Sequence, residues 1–311
     1  MRATVFGLDV SSEIPLSFLE GSSAGPTGRA LGISAQAADA MKLDWPESVE
    51  LICDQRDLDG SVIFRIEAHP EAGYLVSGPK HGAYLLSADG RQLRCAPEGC
   101  PDDAWQRLLI AQVLPFAALL RGLEVFHASA VARHGEAVAV LGPSGAGKTS
   151  VALELCHLGA DFLADDVLAL EVRDGELLVH PGTQIAGLDH AEARRLEKAG
   201  KPRREKVAAV NERERLLRMR GAAEPAPLAA LFFLDRRSDG PPSPRFEPVE
   251  DAQWLLSATF NFVLTRPERL RGLLEVCALA ARLRVERIVA GPDVDATLLA
   301  SAVERRMDTL P

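Results

Sequence analysis

The sequence predicts an α/β protein in which a smaller β-rich N-terminal domain, residues 1–100, precedes a larger domain, residues 101–311. Three observations carry this. The first hundred residues hold short apolar runs broken by Gly, Pro, Asp and Ser. Beyond residue 121 strand-like and helix-like runs alternate. Between one such strand and the next helix lies a glycine-rich loop.

In the first part, Ser61-Val62-Ile63-Phe64-Arg65-Ile66-Glu67, Gly73-Tyr74-Leu75-Val76-Ser77 and Ala83-Tyr84-Leu85-Leu86-Ser87 read as strands separated by turns. Cys95-Ala96-Pro97-Glu98-Gly99-Cys100-Pro101 reads as a linker. A helix over about 103–121 follows, apolar on most faces and so buried, with a kink expected at Pro115. Strands are then expected at 125–132, 137–141 and 162–164, with a turn at Arg133-His134-Gly135-Glu136 and a helix over 148–158. Further strands are expected at 167–172, 176–179, 228–234 and 285–289, and helices near 251–258, 267–283 and 293–304.

Composition excludes several classes. With 311 residues, 47% of them apolar and 25% charged, the chain is an ordinary globular one, long enough for two domains. No run reaches the roughly 18 apolar residues of a membrane span. The start, Met1-Arg2-Ala3-Thr4-Val5-Phe6-Gly7-Leu8-Asp9, turns polar too soon for a secretory signal, so a cytoplasmic location is expected. A net charge of −9 repels polyanions, which argues against nucleic acid and acidic membrane surfaces as partners. Cys53, Cys95, Cys100, Cys156 and Cys277 have no metal-ligand spacing and read as free thiols.

The glycine-rich loop satisfies G-x-x-x-x-G-K-[ST] in full: Gly142-Pro143-Ser144-Gly145-Ala146-Gly147-Lys148-Thr149. Ala137-Val138-Ala139-Val140-Leu141 leads in as a strand, and Ser150-Val151-Ala152-Leu153-Glu154-Leu155 leads out as a helix. Such a loop lets backbone N–H groups from Gly142, Ser144, Gly145, Ala146 and Gly147 converge on phosphates, with Ser150 at the helix start. Lys148 adds a cation for the outer phosphates and Thr149 a hydroxyl for Mg²⁺. Asp165 and Asp166 follow only 17 and 18 residues after Lys148. Adjacent carboxylates repel unless a cation or shared proton relieves them, and Mg²⁺ does so. Both reach one site only if the strand before them ends near Ala164. One then holds Mg²⁺ and the other accepts the proton of an attacking hydroxyl. A solvated turn or helix cap is the plainer alternative.

His127-Ala128-Ser129-Ala130-Val131, the 142–149 loop and Leu163-Ala164-Asp165-Asp166-Val167, in that order and at that short spacing, resemble the core of the HPr kinase/phosphorylase family. Its relatives include serine kinases encoded with lasso-peptide precursors. The resemblance covers residue 106 onward and is strong between 126 and 170. It implies a P-loop kinase core of the type shared with phosphoenolpyruvate carboxykinase, and ATP-dependent phosphorylation of a serine hydroxyl. It also implies that Asp165 and Asp166 divide the jobs of base and Mg²⁺ ligand, while His127 sits near the phosphates to orient or tune the base. Which aspartate takes which job stays open. HPr kinases carry a Glu-x-Arg-Gly-x-Gly signature where this chain has Val179-His180-Pro181-Gly182-Thr183-Gln184-Ile185-Ala186-Gly187. The missing Glu and Arg argue against HPr as substrate and against phosphorolysis. The first domain is more like that of the peptide-kinase relatives. The family's hexameric members leave room for a homo-oligomer.

The region 194–220 holds eleven Lys and Arg residues. Its core, Lys201-Pro202-Arg203-Arg204-Glu205-Lys206, either covers the triphosphate or grips an acidic peptide, with Arg204 and Lys206 the foremost candidates, or is a solvated face. Arg213-Glu214-Arg215-Leu216-Leu217-Arg218 reads as an exposed helix with paired charges. The expected activity is transfer of the γ-phosphoryl of ATP, with Mg²⁺, to a serine of a peptide or small protein. The alternatives are a free small hydroxyl compound as acceptor and a non-catalytic ATP-binding regulator.

Overall fold

The computed structural model describes residues 1–22, 25–97, 99–198, 205–249, 253–260 and 267–308. Eight strands form the first sheet: β1 (Arg2–Val5), β2 (Leu8–Ser12), β3 (Ala30–Ala35), β4 (Glu50–Arg56), β5 (Val62–His69), β6 (Gly73–Gly78), β7 (Gly82–Leu86) and β8 (Gln92–Ala96). Their order is β1-β2-β3-β8-β7-β6-β5-β4, with β3 parallel to both its neighbours. A short helix, α1 (Ala38–Asp44), leads from β3 to β4. Alternation puts Leu31, Ile33, Ile66 and Val76 on the inner face, where they are essentially inaccessible.

That face wraps a helical rod made of α2 (Asp102–Leu108), a single π turn (Leu109–Val113) and α3 (Leu114–Leu120). The sequence places a kink at Pro115; the irregularity is the π turn just before it. Pro115 falls in the first turn of α3, where its missing N–H costs nothing. Tyr74 packs edge-on to Phe116 at 4.7 Å between ring centres. This core does not stop at the linker: it continues into Val125, Val167, Ile185 and Leu216 of the second half.

The second sheet contains β9 (Glu124–Phe126), β10 (Ala128–Arg133), β11 (Glu136–Leu141), β12 (Asp161–Ala164), β13 (Leu168–Arg173), β14 (Glu176–His180), β18 (Ala226–Arg236), β19 (Arg245–Pro248) and β20 (Arg284–Ala290). The order is β12-β10-β11-β18-β14-β13-β9, with β20 on β18 and β19 on β20. β10 and β11 meet through the expected turn, in which His134 and Gly135 both have positive φ, as a tight hairpin requires. β11, β18 and β20 run parallel, so their C-terminal ends share one edge. Val138 and Val140 face α4 (Lys148–His157) and α8 (Ala296–Met307); Ala139 and Leu141 face the opposite layer with α7 (Pro267–Ala280). A sheet covered on both faces reads as a continuous apolar run, which is why the sequence marks it clearly.

A third, three-stranded sheet has the order β15-β17-β16, from β15 (Ile185–Asp189), β16 (Lys206–Val210) and β17 (Glu214–Arg218), with α5 (His190–Lys198) between β15 and β16. Here the expected helix over 213–218 is corrected: the segment is β17. Leu216 points into the first core and the adjacent Leu217 into a separate cluster with Leu153 and Ala193, the two-residue alternation of a strand. A short helix, α6 (Gln253–Leu256), completes the elements. All five cysteines are free thiols. Among the described residues no helix is long and apolar enough to cross a membrane.

Candidate active site

β11 ends at Leu141, residues 142–147 form the loop, and α4 begins at Lys148. Gly142, Gly145 and Gly147 all have positive φ, at 145°, 77° and 97°. At Gly142 a Cβ would come within 2.7 Å of the Leu234 carbonyl oxygen, so only glycine fits beside β18. No side chain caps α4, so its first-turn N–H groups remain available to an anion. Ser144 and Gly145 are exposed, while Ala146 and Ser150 are buried. Arg236, at the end of β18, braces the loop: its Nε donates to the Ala146 carbonyl at 3.1 Å and its Nη1 to the Val294 carbonyl at 2.5 Å.

Lys148 is only 6% exposed, and its Nζ donates to the carbonyls of Gly142 at 3.0 Å and Pro143 at 3.2 Å. Burial pulls its pKa down, against the pull of Asp166 and Asp165, both near enough to act on it. The ammonium therefore sits over the loop with weak neutral acceptors, where phosphate oxygens would bind it better.

β12 ends at Ala164, as the placing of both aspartates at one site requires, and Asp166 takes a left-handed φ of 62°. The chain thereby turns so that the two carboxylates diverge. Asp165 points to the loop: its Oδ1 accepts from the Thr149 hydroxyl at 2.8 Å and the Ser129 hydroxyl at 2.6 Å, and its Oδ2 accepts from the Gly187 N–H at 2.9 Å. Despite three donors, burial and the neighbouring Asp166 push its carboxyl up to about 7. Asp166 turns the other way, and its Oδ2 accepts from Arg107 Nη2 at 2.6 Å. Burial raises its pKa, but Arg107, His127 and Lys148 outweigh that and hold it below the usual range.

His127 lies between β9 and β10, half-buried, with Nδ1 2.9 Å from the Asp166 carbonyl oxygen. A carbonyl only accepts, so Nδ1 carries the proton and Nε2 is the ring's other nitrogen. Burial and Lys148 depress its pKa, favouring the neutral ring. His127 thus holds the backbone of Asp166, not its carboxylate.

Two residues join that the sequence reading did not single out. Arg107, on α2, donates through Nε to Glu214 Oε1 at 2.7 Å and through Nη2 to Glu214 Oε2 at 3.3 Å, besides its bond to Asp166. The signal for Arg107 was a lone cation in a largely apolar helix; Glu214 was hidden by the helical reading of its segment. Gly187 lies between them, and a Cβ there would collide with Glu214 Oε2.

The donor set suits a hard divalent cation. Thr149 and Asp165 offer only oxygens, and burial together with the charge of the neighbouring Asp166 raises the Asp165 carboxyl, a cost that a cation would relieve. Among the described residues no three His, Cys, Asp or Glu side chains converge as a complete metal cage. Mg²⁺ does not need one, since it takes one or two carboxylates together with substrate phosphates and water.

Lys206 is brought to a different place. Glu205 Oε1 accepts from His157 Nε2 at 2.8 Å, at the far end of α4. That end lies about 14 Å along the helix from Lys148 at 1.5 Å per residue. Lys206 itself is exposed on β16. Arg204 lies outside the described residues.

The chain is a mixed α/β protein with several sheets. Compared with known proteins, it matches no family model and no curated protein. Among solved structures it is similar to the Hpr(Ser) kinase/phosphatase from Coxiella burnetii, with 15% identity over 59% of this chain and 90% of that one and a TM-score of 0.32.

Proposed function

We propose that the chain is an ATP- and Mg²⁺-dependent kinase that phosphorylates a serine hydroxyl of a peptide or small protein. The observation that carries this reading is the 2.8 Å hydrogen bond from Thr149, the last residue of the loop motif, to Asp165. It sets one carboxylate beside the hydroxyl that meets Mg²⁺ in phosphate-binding loops, at the N-terminus of α4.

The geometry supports a division of labour. Thr149 and Asp165 would hold Mg²⁺, which when bound would neutralise and orient the outer phosphate oxygens. Lys148 would leave the Gly142 and Pro143 carbonyls for the γ-phosphate. Asp166, whose Oδ1 has no hydrogen-bond partner among the described residues, would take the acceptor's hydroxyl proton. The acceptor oxygen then bonds to the γ-phosphorus, the bond from phosphorus to the bridging oxygen breaks, and its electron pair leaves with ADP. The sheet of residues 1–100 is proposed to select the acceptor.

The test is ADP formation from ATP with and without Mg²⁺, followed by mass spectrometry of serine peptides and of small hydroxyl compounds incubated with the chain. Mg²⁺-dependent gain of a phosphoryl group on a peptide serine is expected. Transfer only to small compounds would move the acceptor class, and nucleotide binding without any turnover would make the chain a regulator.

A further inference from the structure

Arg107, on α2, and Glu214, on β17, stand outside the motif, yet Arg107 joins Glu214 to Asp166. The guanidinium makes three hydrogen bonds, two to Glu214 and one to Asp166 Oδ2. All three side chains are largely buried, with 22%, 20% and 29% of their surface exposed. Surface ion pairs of flexible side chains do little, but a planar fork held between two carboxylates has a fixed direction.

The backbone that carries Arg107 is itself fixed. The neighbouring Gln106 is bonded through its amide to Asp102 and accepts from the Phe18 N–H, while Tyr84 donates to the Trp105 carbonyl. Arg107 cannot follow Asp166 if that carboxylate turns, because Glu214 holds it from behind. On the other side the Gly187 N–H fixes Asp165, and only the absence of a side chain at 187 lets Glu214 close in. One oxygen of Asp166 is thus anchored while the other is presented.

We infer that Glu214 and Arg107 form a positioning relay that aims Asp166 at the acceptor hydroxyl, an inference that rests on the kinase reading above. Neither residue touches substrate. Glu214 orients Arg107, Arg107 anchors Asp166 Oδ2, and Oδ1 is left pointing to the reacting hydroxyl. The relay would govern turnover and leave nucleotide binding to Lys148, Thr149 and Asp165.

The experiment uses the full chain, with water standing in for the acceptor, and reads Mg²⁺-dependent ATP hydrolysis beside the affinity for a fluorescent ATP analogue. Arg107→Met is expected to lower turnover about 100-fold, the cost of misplacing a reacting group by about 1 Å, with affinity changed less than about threefold. Arg107→Lys keeps the cation without the fork and should recover part of the rate. Glu214→Gln should cost about tenfold alone and nothing further in the Arg107→Met background, because the two act through one another. Wild-type turnover in Arg107→Met, or additive losses in the double variant, overturns the relay. So does loss of rate and affinity together with thermal unfolding in both Arg107 variants, which marks a purely structural role. A wild-type chain that binds no ATP analogue with Mg²⁺ overturns the kinase reading itself, and the relay with it.

Discussion

The glycine loop and the carboxylate cluster face each other across a single hydrogen bond, from Thr149 to Asp165, yet they are built in opposite ways. The loop is eight consecutive residues whose geometry follows from local backbone freedom at Gly142, Gly145 and Gly147. The cluster draws on residues 107, 127, 129, 165, 166, 187 and 214, contributed by α2, two different sheets and the turns between their strands. A contiguous site survives most changes elsewhere in the fold. An assembled one depends on every surface that brings its members together.

The largest expected effect breaks the loop side. Lys148→Ala should reduce phosphoryl transfer by about 10³-fold, as loss of a positioned charge donor does. It should leave thermal unfolding nearly unchanged, since Nζ bonds only two loop carbonyls. Next come the two aspartates, which the comparison predicts to fail differently. Asp166→Asn should lower turnover by about 10²–10⁴-fold with nucleotide affinity retained. Asp165→Asn should raise the Mg²⁺ concentration needed for half-maximal binding on the order of tenfold or more. Equal losses of both kinds in both variants would erase the division of labour.

A third prediction concerns pH and follows from burial and charge crowding on the cluster side. The Asp165 carboxyl is raised to about 7 by burial and Asp166, against about 3.9 in an unfolded chain. The folded state therefore favours its protonated form. That stabilisation is complete below about pH 4 and disappears as pH rises through about 7. Metal-free protein should melt at a lower temperature at pH 8 than at pH 5, and Asp165→Asn should flatten the fall. Some slope will remain from Glu124, also raised to about 7 by burial although Arg269 opposes the shift. Mg²⁺ with nucleotide should raise the melting temperature more at pH 8 than at pH 6.

Smaller effects sharpen the boundary between the two regions. Gly187→Ala pushes aside the Glu214 carboxylate, the end of a flexible side chain, and should cost no more than about 1 kcal/mol in urea unfolding, at the low end of overpacking. Lys206→Ala should change ATP affinity less than about twofold. The adjacent Glu205 is bonded to His157 at the end of α4 away from the loop, and α4 is longer than the screening length of about 8 Å in physiological salt.

The alternation of strands and helices from residue 124 onward was legible because each element buries a run of matching period against the next. The third sheet was not. Leu216 and Leu217 are both buried, on opposite faces, so β17 lacks the polar alternation that marks a strand with one wet side. The paired charges around them then mimicked a helix.

The sequence by itself determined the loop, since glycine, lysine and threonine at fixed spacing dictate one backbone path and one set of donors. It also set two adjacent carboxylates close behind, 17 and 18 residues after Lys148. Only the tertiary structure decided how they divide. Asp165 turns to Thr149 and Asp166 to Arg107 because burial charges a high cost for an unpaired carboxylate. The cation that relieves Asp166, Arg107, lies 59 residues before it, and Glu214, which holds Arg107, lies 48 residues after it, separations that no local pattern encodes.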